Sequence, residues 1–374
     1  MFAPVHRAMA GDPRLRFSLV ASEEPHRAAA IFADAGPDAR VIHPRRALLE
    51  KFDAYITADF MWARLLFRTC RIQMFHGVAG KYGFDAPTES LRDWHRLFFV
   101  NRRRLANCVA AGALDADSPA IRLVGMPKVD RLVDGTLQRD AVLESLGLDA
   151  GRPAVLYAPT WSPHSSLNRI GIDLLRRLRG LPVSIIVKLH DRSRDARPMY
   201  SGGIDWPSLV RPLLQDGAAV LASAADICPY LAAADVMITD HSSAAFEYLL
   251  LDRPLVRIHV PELLAGANIH PDYVRLLSEA AESTAGIEDT IAAVERALAD
   301  PARKSAARRA IAGDLFHAPG TATARCRSAL YEAIGLAEPA AVSQPRHPVS
   351  SDVDLRRSQP SGARPQDVSC QPSA

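Results

Sequence analysis

Residues 236–243 read VMITDHSS, an apolar strand pattern that runs directly into a polar turn. The paired serines Ser242 and Ser243 begin a helical pattern that continues to residue 251. A serine at a helix N-cap leaves neighbouring amides and hydroxyls free to face an anion, and the helix N-terminus carries partial positive charge. The turn therefore predicts a pyrophosphate site built by Thr239, Asp240, Ser242 and Ser243 without a glycine-rich loop. The simpler alternative is that Asp240 or Ser242 only caps the helix.

Strand and helix patterns alternate in both directions from this segment. Strands are predicted at residues 16–20, 39–42, 54–56, 72–75, 97–100, 154–157, 184–188, 218–221, 236–239 and 255–258. Helices are predicted at residues 24–34, 61–68, 171–179, 227–234 and 242–251. Strands that alternate with helices are typical of parallel sheets covered on both faces, so the expected fold class is α/β.

The two sets of elements predict two Rossmann-like lobes, at residues 1–135 and 150–337, on either side of the polar stretch 133–153. The second lobe ends in an Ala- and Arg-rich helical region at residues 286–335. Residues 338–374 are rich in Pro, Ser and Gln and contain no aromatic residue, which predicts a disordered tail. Ligands of open α/β sheets lie beyond the carboxyl ends of the strands, so residues that follow strands are the candidates for a site.

Composition excludes several classes of protein. The 374 residues carry a net charge of +3, which gives no reason to expect a nucleic-acid partner. The five cysteines are widely separated, as expected of reduced thiols. The sequence contains neither a signal-peptide pattern nor an apolar run long enough to span a bilayer, so a cytoplasmic protein is expected. The absence of a GxGxxG fingerprint and of a Walker loop argues against dehydrogenases and ATPases, and a serine-nucleophile elbow is also missing.

A histidine follows the predicted strand at 72–75. His76 is followed by Gly77 and, four residues further on, by Lys81. A histidine beside a glycine that permits close approach of a substrate can act as a general base near neutral pH. The alternative is a histidine that merely packs at the end of a strand.

A lysine and a histidine close the predicted strand at 184–188. Lys188 and His190 are expected to project to the same side, because strand side chains alternate. An ammonium and an imidazole side by side suit a phosphate oxygen or a developing anion, although a lone surface pair would look the same. Glu247, about one turn into the helix after Ser243, could accept hydrogen bonds from ribose hydroxyls.

Two further turns follow strands and can line the same cleft. Residues 125–130 read GMPKVD and contribute Lys128 and Asp130, and residues 156–161 read LYAPTW and contribute Thr160. Lys81, Lys128 and Lys188 are three of the five lysines in a chain with 40 arginines, which suggests a role that requires a compact ammonium.

An apolar stripe with flanking arginines predicts a lobe that docks on an anionic membrane surface. The alternative is that the stripe is the core face of a Rossmann helix. The residues of the stripe are Phe60, Met61, Trp62, Leu65, Leu66 and Phe67, with Arg64, Arg68 and Arg71 beside them.

Taken in order, these segments resemble the CDP-glycerol glycerophosphotransferases, enzymes of GT-B fold that build teichoic-acid-like polymers. The family shows His-Gly followed by Lys, then Gly-x-Pro-(Arg/Lys)-x-Asp, Tyr-Ala-Pro-Thr-Trp, Lys-x-His and Thr-Asp-Tyr-Ser-Ser. The matching segments here are residues 76–81, 125–130, 157–161, 188–190 and 239–243. Three positions depart from the pattern: His241 stands where the family has Tyr, Glu247 where Asp is common, and Ser162 where a basic residue is frequent.

The resemblance implies a GT-B-like fold with the donor nucleotide in the C-terminal lobe and the acceptor on the N-terminal lobe. His76 would deprotonate an acceptor hydroxyl, while His190, Ser242 and Ser243 would hold the donor phosphates as cytidine monophosphate (CMP) leaves. No metal or cofactor is implied. The expected partners are CDP-glycerol and a lipid-linked or glycan acceptor, with the enzyme peripheral on the inner face of the cytoplasmic membrane.

Two alternatives stay open on the sequence alone. One is a GT-B glycosyltransferase that moves a sugar from a nucleotide donor during capsule or lipopolysaccharide assembly. The other is a non-catalytic, polymer-binding member of the fold, although His76, Ser242 and Ser243 are all present. The acceptor, the oligomeric state and the choice between single transfer and polymerisation are left undetermined.

Overall fold

Parallel β-sheets and the helices around them make up the chain that the computed structural model describes, namely residues 1–21, 25–32, 35, 39–58, 65–81, 91–214 and 217–339. In the N-terminal part, β1 (Ser18–Leu19) and β2 (Arg40–Val41) form a separate parallel pair. The strands β3 (Ala54–Thr57), β4 (Cys70–Met74), β5 (Arg96–Phe99) and β6 (Ile121–Leu123) form a four-stranded parallel sheet in sequence order.

The C-terminal sheet contains six parallel strands. They are β7 (Ala154–Tyr157), β8 (Ser184–Val187), β9 (Ala219–Leu221), β10 (Val236–Thr239), β11 (Leu255–Ile258) and β12 (Glu282–Thr284). Their spatial order is β12-β11-β10-β7-β8-β9, so the order reverses between β10 and β7. Every residue of β7, β8, β10 and β11 is buried, as expected of parallel strands covered on both faces. The predicted α/β architecture is confirmed.

Sixteen helices occur among the described residues. They are α1 (Ala3–Met9), α2 (Ala28–Ile31), α3 (Pro44–Leu49), α4 (Arg102–Ala110), α5 (Asp130–Val133), α6 (Arg139–Ser145), α7 (Ser166–Leu178), α8 (Pro198–Ser201), α9 (Trp206–Val210), α10 (Cys228–Ala233), α11 (Ala244–Tyr248), α12 (Pro261–Gly266), α13 (Pro271–Ala280), α14 (Ile287–Ala299), α15 (Ser305–Leu315) and α16 (Ala322–Ile334). Helix α7 begins five residues before the predicted start, because Ser165 caps it by accepting from the Asn168 amide.

The predicted helix at residues 61–68 is wrong for its C-terminal half, and residues 61–64 lie outside the described residues. Residues 65–68 are not helical, with a bend at 66–67, and the Thr69 hydroxyl donates to the Phe67 carbonyl at 3.0 Å just before β4. The side chains of Leu66 and Phe67 are 70% and 45% exposed, so this stretch has no buried apolar face that would stabilise a helix.

The last helix returns to the N-terminal sheet. Cys326, Leu330 and Tyr331 of α16 belong to one apolar cluster with Ile72 of β4 and Phe98 of β5. The predicted C-terminal helical region is therefore present as α14, α15 and α16. The predicted disordered tail lies outside the described residues from residue 340 onward, and the boundaries of the two lobes stay predictions.

Candidate active site

His76 follows β4 at the carboxyl edge of the N-terminal sheet, and its side chain is exposed. Its Nδ1 lies 2.9 Å from the carbonyl oxygen of Ala58. A carbonyl oxygen can only accept, so Nδ1 carries the hydrogen and Nε2 of the neutral ring keeps its lone pair. The buried Gln73 amide donates to the same carbonyl at 3.1 Å, which fixes the position of that oxygen. In its neutral form, the ring of His76 therefore has its hydrogen on Nδ1 and its lone pair on Nε2.

The turn around His76 is held from α4. Arg104 Nη1 donates to the Gly77 carbonyl at 3.0 Å, and its guanidinium lies 4.7 Å from the centre of the Phe75 ring. A Cβ atom at Gly77 would lie 3.0 Å from Arg104 Nη1, so this position favours glycine. Asn101 Nδ2 donates to the Val78 carbonyl at 2.9 Å. These contacts hold the base in one orientation.

His190 has the opposite hydrogen-bonding arrangement. Its Nδ1 accepts from the Arg192 main-chain amide at 3.1 Å, so the hydrogen of the neutral ring is on Nε2. Although part of the side chain is exposed, burial of the ring lowers the pKa of His190 to about 4, and the Lys188 charge lowers it further. At neutral pH the ring is uncharged and offers an N–H donor.

Lys188 is almost completely buried at the end of β8. Its Nζ donates to the Leu189 carbonyl at 3.0 Å. Burial lowers the pKa of Lys188, and the Asp191 carboxylate opposes that shift. Lys188 and His190 thus lie at the same strand end, and the prediction that their side chains project to the same side stays a prediction.

Asp240 organises the turn after β10. Its Oδ1 accepts from the amides of Thr160 and His241 at 2.8 and 2.7 Å, and its Oδ2 accepts from the amide and hydroxyl of Ser166, both at 2.9 Å. The Thr239 hydroxyl donates to the carbonyl of the residue after β7, Ala158, at 2.7 Å. Both side chains are fully buried, and their polar atoms hold the strand ends together. Direct phosphate binding by Thr239 and Asp240 stays a prediction.

The two predicted serines differ in exposure and in hydrogen bonding. Ser242 is half-buried and precedes the N-cap of α11, and its Oγ accepts from the Ala244 amide, the first of the helix, at 3.3 Å. Ser243 is exposed, and its side chain makes no capping bond to α11. The Ser243 hydroxyl is therefore available to a ligand.

Lys81 connects the segment after His76 to the C-terminal sheet. Its Nζ donates to Thr160 Oγ1 at 3.2 Å. Burial lowers the pKa of Lys81, whereas the Asp240 carboxylate raises it. The Lys81 charge also contributes to the lowered pKa values of His190 and His241, so these groups share one electrostatic environment.

The turn at residues 125–130 makes a second connection. Lys128 Nζ donates to both carboxylate oxygens of Glu247, at 2.8 and 2.7 Å, and only 5% of the Glu247 side chain is exposed. Burial lowers the pKa of Lys128, but the charge and hydrogen bond of Glu247 together with Cys228 and Asp226 raise it by more, so the pKa is raised. The predicted ribose contact of Glu247 stays a prediction, and any ribose would share this carboxylate with Lys128.

The Asp130 carboxylate contacts the main chain at the start of α16. Its Oδ1 accepts from the amides of Gly320 and Ala322 at 2.8 and 3.1 Å, and its Oδ2 accepts from the Thr323 amide at 2.7 Å. The carboxylate thereby satisfies free amides at the start of α16. Its predicted place in the cleft is not tested.

Sequence reasoning did not identify several residues at this edge of the sheet. Ser166 holds Asp240, and its hydroxyl also contacts the Tyr157 hydroxyl at 3.0 Å. Arg257 lies in the apolar strand β11, and His259 follows that strand. An arginine between Val256 and Ile258 was the visible signal, because charged residues are rarely buried without a function or a partner.

Comparisons with known proteins agree with this geometry. The family model of the CDP-glycerol:poly(glycerophosphate) glycerophosphotransferases matches residues 47–317. No curated protein matches the chain.

Among solved structures, a histidine variant of the wall teichoic acid polymerase TagF is 16% identical, with a TM-score of 0.66 over 89% of this chain and 85% of that chain. A TagF variant soaked with CDPG is 17% identical, with a TM-score of 0.65 and the same coverage. The Staphylococcus aureus MnaA–UDP structure is 12% identical, with a TM-score of 0.55 over 90% of this chain and 93% of that chain. These similarities show a shared GT-B-like fold. Because the family model spans most of the sequence, the chain belongs to the CDP-glycerol:poly(glycerophosphate) glycerophosphotransferase family.

Proposed function

We propose that the protein transfers a glycerol phosphate group from CDP-glycerol to a hydroxyl of a cell-envelope glycan or lipid-linked polymer and releases CMP. The observation that carries the proposal is that Nδ1 donates a hydrogen bond in His76 and accepts one in His190. His76 donates through Nδ1 and keeps a lone pair on Nε2, whereas His190 accepts through Nδ1 and keeps a hydrogen on Nε2. Phosphoryl transfer needs one group that takes a proton and one that donates a hydrogen bond to the leaving phosphate.

The acceptor reacts at His76 in this mechanism. Nε2 of His76 takes the proton of the acceptor hydroxyl as its oxygen attacks the phosphorus that bears glycerol. The new phosphorus–oxygen bond joins glycerol phosphate to the acceptor, and the bond from that phosphorus to the oxygen bridging to CMP breaks. General-base catalysis of this kind contributes about 10²–10⁴-fold to a rate.

The leaving CMP gains negative charge as that bond breaks. His190 Nε2–H, the Lys188 ammonium and the Ser243 hydroxyl lie at carboxyl ends of strands β8 and β10, where this fold binds its ligands. Donors that are already oriented stabilise such a charge without reorganisation during the reaction. Ser242 Oγ accepts from the Ala244 amide, and its hydroxyl hydrogen remains a donor that can face the phosphates.

We also propose that the N-terminal part docks on an anionic membrane. Leu48 and Leu49 of α3 and Leu66 and Phe67 before β4 are exposed, and Arg68 is exposed beside them. These segments lead into neighbouring parallel strands, whose starts are joined by a 2.9 Å bond from the Cys70 amide to the Asp53 carbonyl. Apolar side chains with adjacent arginines suit the headgroup boundary of a bilayer.

None of the described helices combines the length and the apolar character needed to cross a membrane. Sedimentation with vesicles that contain anionic lipid, at low and at high salt, tests the peripheral contact. We expect the protein to sediment at low salt and to be released at high salt. Protein that remains in the supernatant at low salt would contradict the contact.

Incubation with CDP-glycerol and an envelope-derived acceptor, followed by separation of nucleotides, tests the transfer. We expect CMP to appear together with acceptor that carries glycerol phosphate. Release of a nucleoside diphosphate from a nucleotide sugar, without CMP from CDP-glycerol, would favour the glycosyltransferase instead.

A further inference from the structure

Three basic side chains cluster at the carboxyl ends of β10 and β11. Thr239 and Arg257 are paired residues of these two parallel strands. His241 and His259 each follow two residues later, so the two histidines leave the same edge of the sheet at equivalent positions. The cluster adjoins the predicted phosphate-binding turn but was not part of it.

The cluster contains buried nitrogen atoms without partners. His241 is fully buried and Arg257 is 5% exposed. Nδ1 and Nε2 of His241, Nη1 of Arg257 and Nδ1 of His259 are buried and have no hydrogen-bond partner among the described residues. Most buried polar groups in native proteins are hydrogen-bonded, so four such atoms in one cluster point to a site that binds a ligand.

The charge of Arg257 indicates the kind of ligand. Its Nε and Nη2 donate to the Ser283 hydroxyl at 3.3 and 2.8 Å, and no carboxylate among the described residues forms an ion pair with it. The nearby carboxylates have other partners. Asp240 accepts four hydrogen bonds, and Glu262 forms an ion pair with Arg169 at 3.0 Å. A buried charge without a counterion is costly, and a water molecule would not neutralise it.

The histidines of the cluster are uncharged in the absence of a ligand. Burial, followed by the Arg257 charge, lowers the pKa of His241 to about 3, and the same two causes lower the pKa of His259. An anion among these rings would favour their protonated forms, in which every ring nitrogen is a donor. All four unpartnered nitrogens could then donate to oxygen atoms of one anion.

We infer that His241, Arg257 and His259 form an oxyanion pocket that binds a phosphate group. On the function proposed above, this phosphate belongs to the diphosphate of the nucleotide donor. The position supports that choice, because His241 directly precedes Ser242 and the Lys81 charge acts on the His241 ring. The pocket thus supplies donor-binding residues in addition to the exposed Ser243.

Calorimetric titration of the full chain with CDP, inorganic phosphate and cytidine tests the pocket. The variants are His259→Gln, at a half-buried position, and Arg257→Met, with Arg176→Met on the exposed face of α7 as the control. Circular dichroism and thermal unfolding identify variants that fold. We expect His259→Gln and Arg257→Met to weaken CDP and phosphate binding about tenfold or more, with cytidine binding and the control unchanged.

Titration with sulfate at pH 7, in two buffers of different ionisation enthalpy, gives a readout that does not depend on activity. Sulfate does not titrate near this pH, so any protons taken up on binding are taken up by groups of the protein. We expect net uptake of protons by the wild type and less uptake by His259→Gln. Binding of sulfate without any proton uptake would overturn the role of the imidazoles.

The possible outcomes distinguish a failure of the pocket inference from a failure of the proposed function. Folded His259→Gln and Arg257→Met variants that bind phosphate and CDP as the wild type does would overturn the pocket. Phosphate that binds without competing with CDP would overturn its assignment to the donor. A wild type that binds phosphate in the pocket but does not turn over CDP-glycerol would overturn the proposed function and leave the pocket standing.

Discussion

The main-chain amide of Arg192 donates to Nδ1 of His190 at 3.1 Å and thereby fixes the ring hydrogen on Nε2. At His76 a carbonyl oxygen takes the corresponding place, since Ala58 accepts from Nδ1 at 2.9 Å. The two histidines at the carboxyl ends of two different sheets thus carry their hydrogens on opposite ring nitrogens in the neutral form. The proposed function uses this difference by assigning proton uptake to His76 and a hydrogen bond to phosphate to His190.

Replacing His76 with alanine should reduce turnover by about 10²–10⁴-fold while donor binding is retained, because only the general base is lost. Turnover and the dissociation constant for CDP-glycerol are measured on the same preparation. His95→Ala is the matched control, because His95 precedes β5 at the amino edge of the same sheet. Near-normal turnover of His76→Ala would remove His76 from the mechanism.

Ser243→Ala and Ser242→Ala should have different effects. Loss of the exposed Ser243 hydroxyl should weaken CDP binding about tenfold with little change in stability, because hydrogen bonds to charged groups are the strong ones. Ser242→Ala should lower the free energy of unfolding by about 0.5–1.5 kcal/mol, because the hydrogen bond to the first amide of α11 is lost. Calorimetry and urea denaturation measure the two effects. Unchanged CDP affinity in Ser243→Ala would restrict the serines to a structural role.

Glu247 can be tested with the sugar of the nucleotide. If its carboxylate accepts from ribose, the wild type should bind CDP about tenfold more tightly than dideoxy-CDP, and Glu247→Gln should show a smaller ratio. The ratio matters because Glu247→Gln also weakens the ion pair with Lys128 and so affects both ligands. Equal affinities of the wild type for both nucleotides would contradict a ribose contact.

His241 should make stability depend on pH in the absence of ligand. Its pKa is lowered from 6.5 to about 3, mainly by burial, so the unfolded chain takes up the proton first as pH falls. The neutral His241 ring therefore contributes to the free energy of unfolding above about pH 6.5. This contribution is lost as the pH falls from about 6.5 to 3, at about 1.4 kcal/mol per pH unit. Urea denaturation at pH 7, 6 and 5 should show a steeper loss for the wild type than for His241→Gln. Parallel pH dependences would show that His241 is not held neutral by the fold.

The buried strands could be predicted from sequence because they are short, continuous apolar runs. Residues 154–157 and 255–258 have the predicted bounds as β7 and β11. Strands β6 and β12 were missed, since IRL and EST contain too few apolar residues to form a pattern. Their pairing depends on neighbouring strands that are distant in sequence.

The positions of His76, His190 and Ser243 after strands could be predicted, because each follows a continuous apolar run, whereas their roles stay predictions. The partners of candidate site residues could not be predicted, because the contacts join distant parts of the chain. Asp130 contacts amides at the start of α16, about 190 residues later, and Lys128 contacts Glu247 across 119 residues. His241 was visible only as a departure from a family pattern, and the packing shows that its buried ring nitrogens have no hydrogen-bond partner in the part of the chain that the structure describes.

The most direct test of the account is the nucleotide that the enzyme releases. CDP-glycerol and nucleotide sugars are supplied separately to the wild type and to His76→Ala, with the same envelope-derived acceptor. The account predicts that the wild type releases CMP from CDP-glycerol in step with glycerol phosphate attached to the acceptor, and that His76→Ala does not. Release of nucleoside diphosphate from a nucleotide sugar, with CDP-glycerol left intact, would contradict it.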